Sequence, residues 1–144
     1  MNNHECLLIT DALAMNSKMP MKQIHSCIVC TPNYFFIVPT KTVGVFVIFD
    51  TIKNHSFFEG QTIPQGLKTL INNTEKLSDL ENQMKEILNQ DAKYIFDLSE
   101  ATSKKIKGFL GKKTLQIREG KSWVSFSPKS KAEGKALAEF YPNF

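Results

Sequence analysis

The chain is poor in cysteine, with three, and its first residues carry no basic leader. An odd number of thiols behind such a start argues against a disulfide framework and for reduced side chains. The apolar run in MNNHECLLIT is much too short for a signal peptide or a membrane span, so the expected location is cytoplasmic, with export by a signal-less route left open. Signature motifs are missing too. There is no nucleophile elbow, no Gly-rich phosphate loop and no His-Glu metal motif, so no cofactor is implied and a catalytic role is not expected. His55, in NHSFFEG between Asp50 and Glu59, is the one place where a base and carboxylates gather along the chain. A small enzyme built there is a third reading, beside a solvated turn. Arginine occurs once, at Arg118.

What is present reads as one folded unit. At 144 residues the chain can bury a single core without metal or disulfide staples. Hydrophobic residues at 42% against 22% charged, with 11 Phe, give that core its material.

Runs rich in Val, Ile, Phe and Tyr, bounded by turn residues, predict four strands in the first half: ECLLIT, IHSCIVCT, YFFIVPT and VGVFVIFDT. TPN and PTKT, which join the second strand to the third and the third to the fourth, are too short for parallel crossovers, so an antiparallel meander is expected. TPN supplies a turn, with Pro32 fixing φ and Asn33 tolerating positive φ. The Met-rich stretch DALAMNSKMPMKQ reads as a loop. From Pro64 to Gln90 the apolar period becomes helical, with Leu67, Leu70, Ile71, Leu77, Leu80, Met84, Ile87 and Leu88 three or four apart. Pro64 suits a helix start, Ser78 with Glu81 could cap a second helix, and INNT is more readily a break between two helices than a weak point in one.

Strand signals then return in KYIFDLSEAT, KKIKGFL, TLQIRE and SWVSFSP, the last three joined by Gly-Lys turns. In the last pair, apolar and polar residues alternate, which predicts one packed and one wet face. The tail SPKSKAEGKALAEFY predicts a closing helix, with Ser127 as N-cap, Pro128 at its first position, and Ala136, Leu137, Phe140 and Tyr141 as its apolar stripe.

Four strands, three strands and a final helix is an order that resembles the pleckstrin-homology (PH) superfold. YIFDLSEATSKKIKGFLGKKTLQIREGKSWVSFSPKSKAEGKALAEF is similar in pattern to the second half of its GRAM and bacterial PH-like members, and CTPNYFFIVPTK to their early hairpin. The resemblance implies an α+β domain over residues 1–144: a bent antiparallel sheet of about seven strands, a PH-like roll, with a C-terminal helix. The helical stretch at about 64–90 is then an insertion between the two halves. Lipid-binding members cluster Lys and Arg around the first hairpin; here that region offers Lys18 and Lys22 and no Arg. The resemblance therefore does not carry phosphoinositide binding over.

Four constellations could carry chemistry or binding. CIVC places Cys27 and Cys30 three apart in a strand, hence on opposite faces, where they can neither share a metal nor close a bridge. Buried structural thiols are the expectation. A tetrahedral set of His4, Cys6, His25 and Cys27 would need the first two strands to pair in one particular register. The positive charge sits in the C-terminal third: from Glu100 onward there are ten basic residues against four acidic, leaving eight against ten before it. Lys104, Lys105, Lys107, Lys112, Lys113, Arg118 and Lys121 are candidates for binding an acidic lipid headgroup or nucleic acid, with Phe109, Trp123 and Phe126 interleaved. A solvated lysine-edged surface explains the same pattern. Finally, Leu77, Leu80, Met84 and Ile87 form a stripe that either packs on the sheet or binds a protein or peptide partner, a second copy included. The favoured expectation is a non-catalytic PH-like module binding such a partner, with anion binding as the alternative.

Overall fold

The computed structural model describes residues 5–18, 23–40 and 58–144. The expected strand at 43–51, His4, Lys22, Asp50 and His55 lie outside the described residues.

Seven strands form one antiparallel sheet: β1 (Leu7–Asn16), β2 (Ile24–Cys30), β3 (Tyr34–Pro39), β4 (Ile95–Asp97), β5 (Ser103–Phe109), β6 (Lys112–Glu119) and β7 (Ser122–Pro128). Among the described residues three α-helices accompany them, α1 (Ile63–Asn73), α2 (Leu77–Ile87) and α3 (Lys131–Phe140). The strand order is β4-β3-β2-β1-β7-β6-β5, so β4 and β5 are its edges. The sheet curls into a half-barrel. Phe35 of β3 meets Phe126 of β7 edge-on, with ring centroids 5.2 Å apart, although two strands separate β3 from β7 in the sheet. Only a strongly bent sheet brings those rings together. The α+β class, the PH-like sheet arrangement and the C-terminal helix agree with the expectation from sequence.

Several details differ from it. Most of the stretch expected to be a loop after Thr10 is strand: β1 continues to Asn16, pairing with β2 on one side and β7 on the other. A register shift between Ile9 and Ala12 accommodates Asp11, and Ala and Met adopt strand geometry because both flanking strands claim their backbone groups. The helical segment enters between β3 and β4, so among the described residues it interrupts the first half of the sheet instead of separating the halves.

The break between two helices is present. Thr62 and Gln65 form a capping box at the start of α1, with Pro64 in its first turn. Thr74 ends it, its hydroxyl donating to the Leu70 carbonyl at 2.6 Å. The Ser78–Glu81 capping box does not form: α2 begins at Leu77 without a side-chain cap, and Glu81 is used elsewhere. Likewise α3 starts three residues later than expected. Its cap is Ser130, which accepts from Glu133 N at 3.0 Å, while Ser127 and Pro128 belong to β7.

Burial explains why the two halves of the sheet have different sequences. Strands β2 and β3 are buried on both faces and read as continuous apolar runs; β6 and β7 alternate because one face meets water. The α1–α2 pair belongs to the first half. Glu81 of α2 meets Thr31 and Asn33 in the turn between β2 and β3, and α1 lies against β1. In α2, the Lys85 ammonium donates to the Tyr34 hydroxyl at 3.0 Å and stands 4.2 Å from the ring centre.

Candidate anion-binding face

Strand register sorts the basic residues of the C-terminal third. Leu115 and Ile117 of β6 are buried and point into the half-barrel, so Thr114, Gln116 and Arg118 point outward. Ile106 lies opposite Leu115 and Lys104 opposite Ile117, which sends Lys105, Lys107 and Phe109 to the outer face. Lys112, opposite Phe109, joins them. On β7, Trp123 faces Arg118 and Ser125 faces Gln116, both outward, while Phe126 turns inward and is buried. Leu13 and Met15 of β1 extend the same surface, opposite Ser127 and Ser125.

The outcome is an outer face carrying Lys105, Lys107, Lys112 and Arg118, with an exposed aromatic ring near each end. Phe109 is 76% exposed and Trp123 36%. From Lys112 to Arg118 the cationic stripe runs about 20 Å at the usual rise of a strand. Between its ends lie Thr114, Gln116, Ser125 and Ser127, the Thr114 and Ser127 hydroxyls 2.6 Å apart. None of the ion pairs among the described residues involves the four cations; those pairs are Lys93–Asp91 and Lys129–Asp11. The carboxylate that shares the outward side of β1, Asp11, is countered by Lys129 at 3.4 Å.

The remaining candidates divide. Lys121 sits in the turn after Gly120, at the Trp123 end of the face. Lys104 and Lys113 have the opposite parity and meet the C-terminal segment: the Lys104 ammonium stands 5.3 Å from the Phe144 ring centre, and the Lys113 chain lies against Gly134 of α3. A Cβ at Gly134 would come within 3.3 Å of the Lys113 chain, so glycine lets the helix approach β6.

Of the stripe on α2, Leu80, Met84 and Ile87 are buried in this chain's own core and Leu77 is half-buried. The expected partner-binding or dimerising face is thus turned inward, because the bent sheet offers apolar surface that the helix pair must cover.

The thiols behave as spacing predicted. Cys30 lies opposite Phe35, whose ring points into the half-barrel, and Cys27 opposite Val38 on the other side of the strand. Cys27 Sγ donates to the Thr10 carbonyl at 3.3 Å. Burial first, then the carboxylates of Glu133 and Asp11, push its pKa up to about 12. Burial, with Glu81 nearby, likewise pushes Cys6 to about 12. Cys30, fully enclosed and close to Cys6, is raised further. Thiols held protonated are poor ligands and poor nucleophiles. The described members of the tetrahedral set are not brought together: Cys6 neighbours Cys30 and Glu81, while His25 Nδ1 lies 2.7 Å from the Lys129 ammonium. Among the described residues no three potential metal ligands converge.

Sequence reasoning missed one feature. At the open seam of the half-barrel, Ile95, Phe96, Ile117 and Val124 floor a groove of about 160 Å³, bordered by Trp123, Lys18 and the carboxylates of Asp97, Glu100 and Glu119. Glu119 first, then Asp97, raises the Glu100 pKa, against an opposing pull from Lys18. Those acids are scattered through turns and strand ends, so no sequence pattern gathers them.

No family model, curated protein or solved structure matches this chain. Among the described residues, no helix is long and apolar enough to cross a membrane.

Proposed function

We propose that this protein is a non-catalytic, PH-like binding module whose working surface is the outer face of β5–β7, and that the face takes a phosphate-bearing polyanion. One observation carries the reading: strand register gathers Lys105, Lys107, Lys112 and Arg118 on one side of β5–β6, and all four are exposed. Clustered cations without carboxylate partners attract polyanions and release their counterions, giving affinity that falls steeply with salt. Half-buried hydroxyls and the Gln116 amide between the cations can donate to phosphate oxygens.

The test is salt-dependent retention on heparin and on a single-stranded oligonucleotide. Lys105→Glu with Lys107→Glu should elute at much lower salt than wild type and reduce the slope of log affinity against log salt by about two. A control pair on the helical half, Lys68→Glu with Lys76→Glu, makes the same change in net charge at exposed positions. Equal elution of the two variants would mean that overall charge, not this face, governs retention.

The seam groove supports a second reading, a peptide partner. Its volume suits one side chain and not a whole small molecule, whose pockets run to about 300 Å³ or more. An apolar floor under three carboxylates fits a segment with an apolar residue flanked by Lys or Arg. Binding of such a peptide abolished by Glu100→Lys, with heparin retention unchanged, would establish it.

A further inference from the structure

The turn between β5 and β6 conflicts with its own sequence. Leu110 and Gly111, the two loop residues, have φ of 51° and 81°, the pattern of a type I′ hairpin, which favours Asn-Gly. A leucine in the left-handed region is an outlier, disfavoured by contact between its Cβ and the backbone. It gains nothing from packing in return: Leu110 is 82% exposed, and Phe109 beside it is 76% exposed. Where a local rule is broken without a return inside the fold, the cause is sought outside it.

The surroundings of the tip are of one charge. Lys107 precedes it and Lys112 follows, both exposed. The Lys113 ammonium lies near Gly108, and the Lys131 chain near Gly111, each within about 3 Å of where a Cβ would stand. Two bulky apolar side chains therefore project from a collar of ammonium groups.

We propose that this tip is an interfacial anchor: Phe109 and Leu110 enter the headgroup–acyl boundary of an anionic bilayer while the collar lysines meet its headgroups. The inference rests on the anion-binding reading and names the polyanion as a membrane surface. Apolar burial and attraction to anionic lipid act together in such anchors, and neither suffices alone. A membrane is favoured over nucleic acid because leucine has no π-face on which a base could stack, and it occupies the apex. It is favoured over a protein because lysine is depleted from protein interface cores.

The experiment is co-sedimentation with vesicles of phosphatidylcholine and phosphatidylserine, against phosphatidylcholine alone, beside retention on heparin and oligonucleotide. Wild type should bind the anionic vesicles only. Leu110→Asn, which suits the turn and so keeps the fold, should bind them about tenfold more weakly or worse, with heparin retention unchanged. Phe109→Trp should show a blue-shifted emission component quenched by brominated acyl chains. Wild-type vesicle binding by Leu110→Asn, or no quenching at position 109, would overturn the anchor. Retention on heparin or oligonucleotide without vesicle binding would overturn it too, while leaving the anion reading intact. Absence of binding to all three would overturn both.

Discussion

The Thr31 hydroxyl donates to Glu81 Oε2 across 2.6 Å, joining the turn after β2 to the middle of α2. The same hydroxyl accepts from Tyr34 N at 2.9 Å and Asn33 N at 3.2 Å, and the Thr31 carbonyl accepts from the Tyr141 hydroxyl at 2.6 Å. One residue thus ties the inserted helix and the C-terminal segment to one hairpin. The turn expected from Pro32 and Asn33 is held by this hydroxyl, and Asn33 does not need positive φ. Glu81 is buried, and its carboxylate takes the Thr31 hydroxyl and, at 3.5 Å, the Asn33 side-chain amide as donors. Thr31→Val should cost about 1–3 kcal/mol of stability by leaving that carboxylate short of a partner. Urea unfolding measures it, with exposed Glu86→Ala as a control that should change little.

Leu80 and Met84 are fully enclosed. Leu80→Glu should cost more than about 3 kcal/mol, since a buried charge there meets no partner. Circular dichroism melting would then show loss of the cooperative transition. A folded Leu80→Glu protein with altered mass in light scattering would return the stripe to an intermolecular role.

Leu110→Asn should raise stability by about 1 kcal/mol, since asparagine tolerates the left-handed backbone better than leucine. Chemical denaturation reads the gain directly. A loss would show that the exposed leucine supports the fold in spite of its surroundings.

The cysteines link stability to alkaline pH. Cys6 and Cys27 are raised from 9.0 to about 12 in the fold. Between those values the unfolded chain has released protons that the folded chain retains, so stability should fall as pH rises from about 9 toward 12. Replacing both by Ser or Ala would make that arm of the denaturation profile shallower, with the raised Cys30, Tyr94 and Tyr141 supplying what remains. In the native protein at neutral pH, a thiol reagent should react slowly until denaturant is added.

At the seam, Glu100 has a raised pKa caused first by Glu119. Glu119→Gln should lower it toward its ordinary value, and Lys18→Ala should raise it further. Carboxyl carbon chemical shifts followed through a pH titration distinguish the two directions. No response to Glu119→Gln would mean that the carboxylates do not meet in solution.

Much of this architecture is legible in the chain because the signals are local. The alternation in TLQIRE and SWVSFSP marks strands with one wet face, and the unbroken IHSCIVC and YFFIVP mark strands covered on both sides. The three- and four-residue period from Leu67 to Leu88 marks helices. Strand β1 was legible only to Thr10, because Ala12, Ala14 and Met15 have weak strand preference and are held extended by two neighbours. The misplaced caps have a related cause. Ser78 and Ser127 each satisfy a local rule, yet Glu81 has a stronger use at Thr31, and Ser127 and Pro128 pair with Leu13 and Ala12 of β1.

For the candidate site, sequence alone determined that the C-terminal third is basic, with aromatics among its lysines, and that Cys27 and Cys30 face apart. Charge and period-two alternation are properties of the chain itself. Only the tertiary structure decided which basic residues share a face, since register sends Lys105, Lys107, Lys112 and Arg118 outward and leaves Lys104 and Lys113 against the C-terminal segment. It likewise decided that the α2 stripe faces inward and that Asp97, Glu100 and Glu119 meet at the seam. Those outcomes depend on which way the sheet bends and what it then has to cover, and both are set by contacts between residues far apart in sequence.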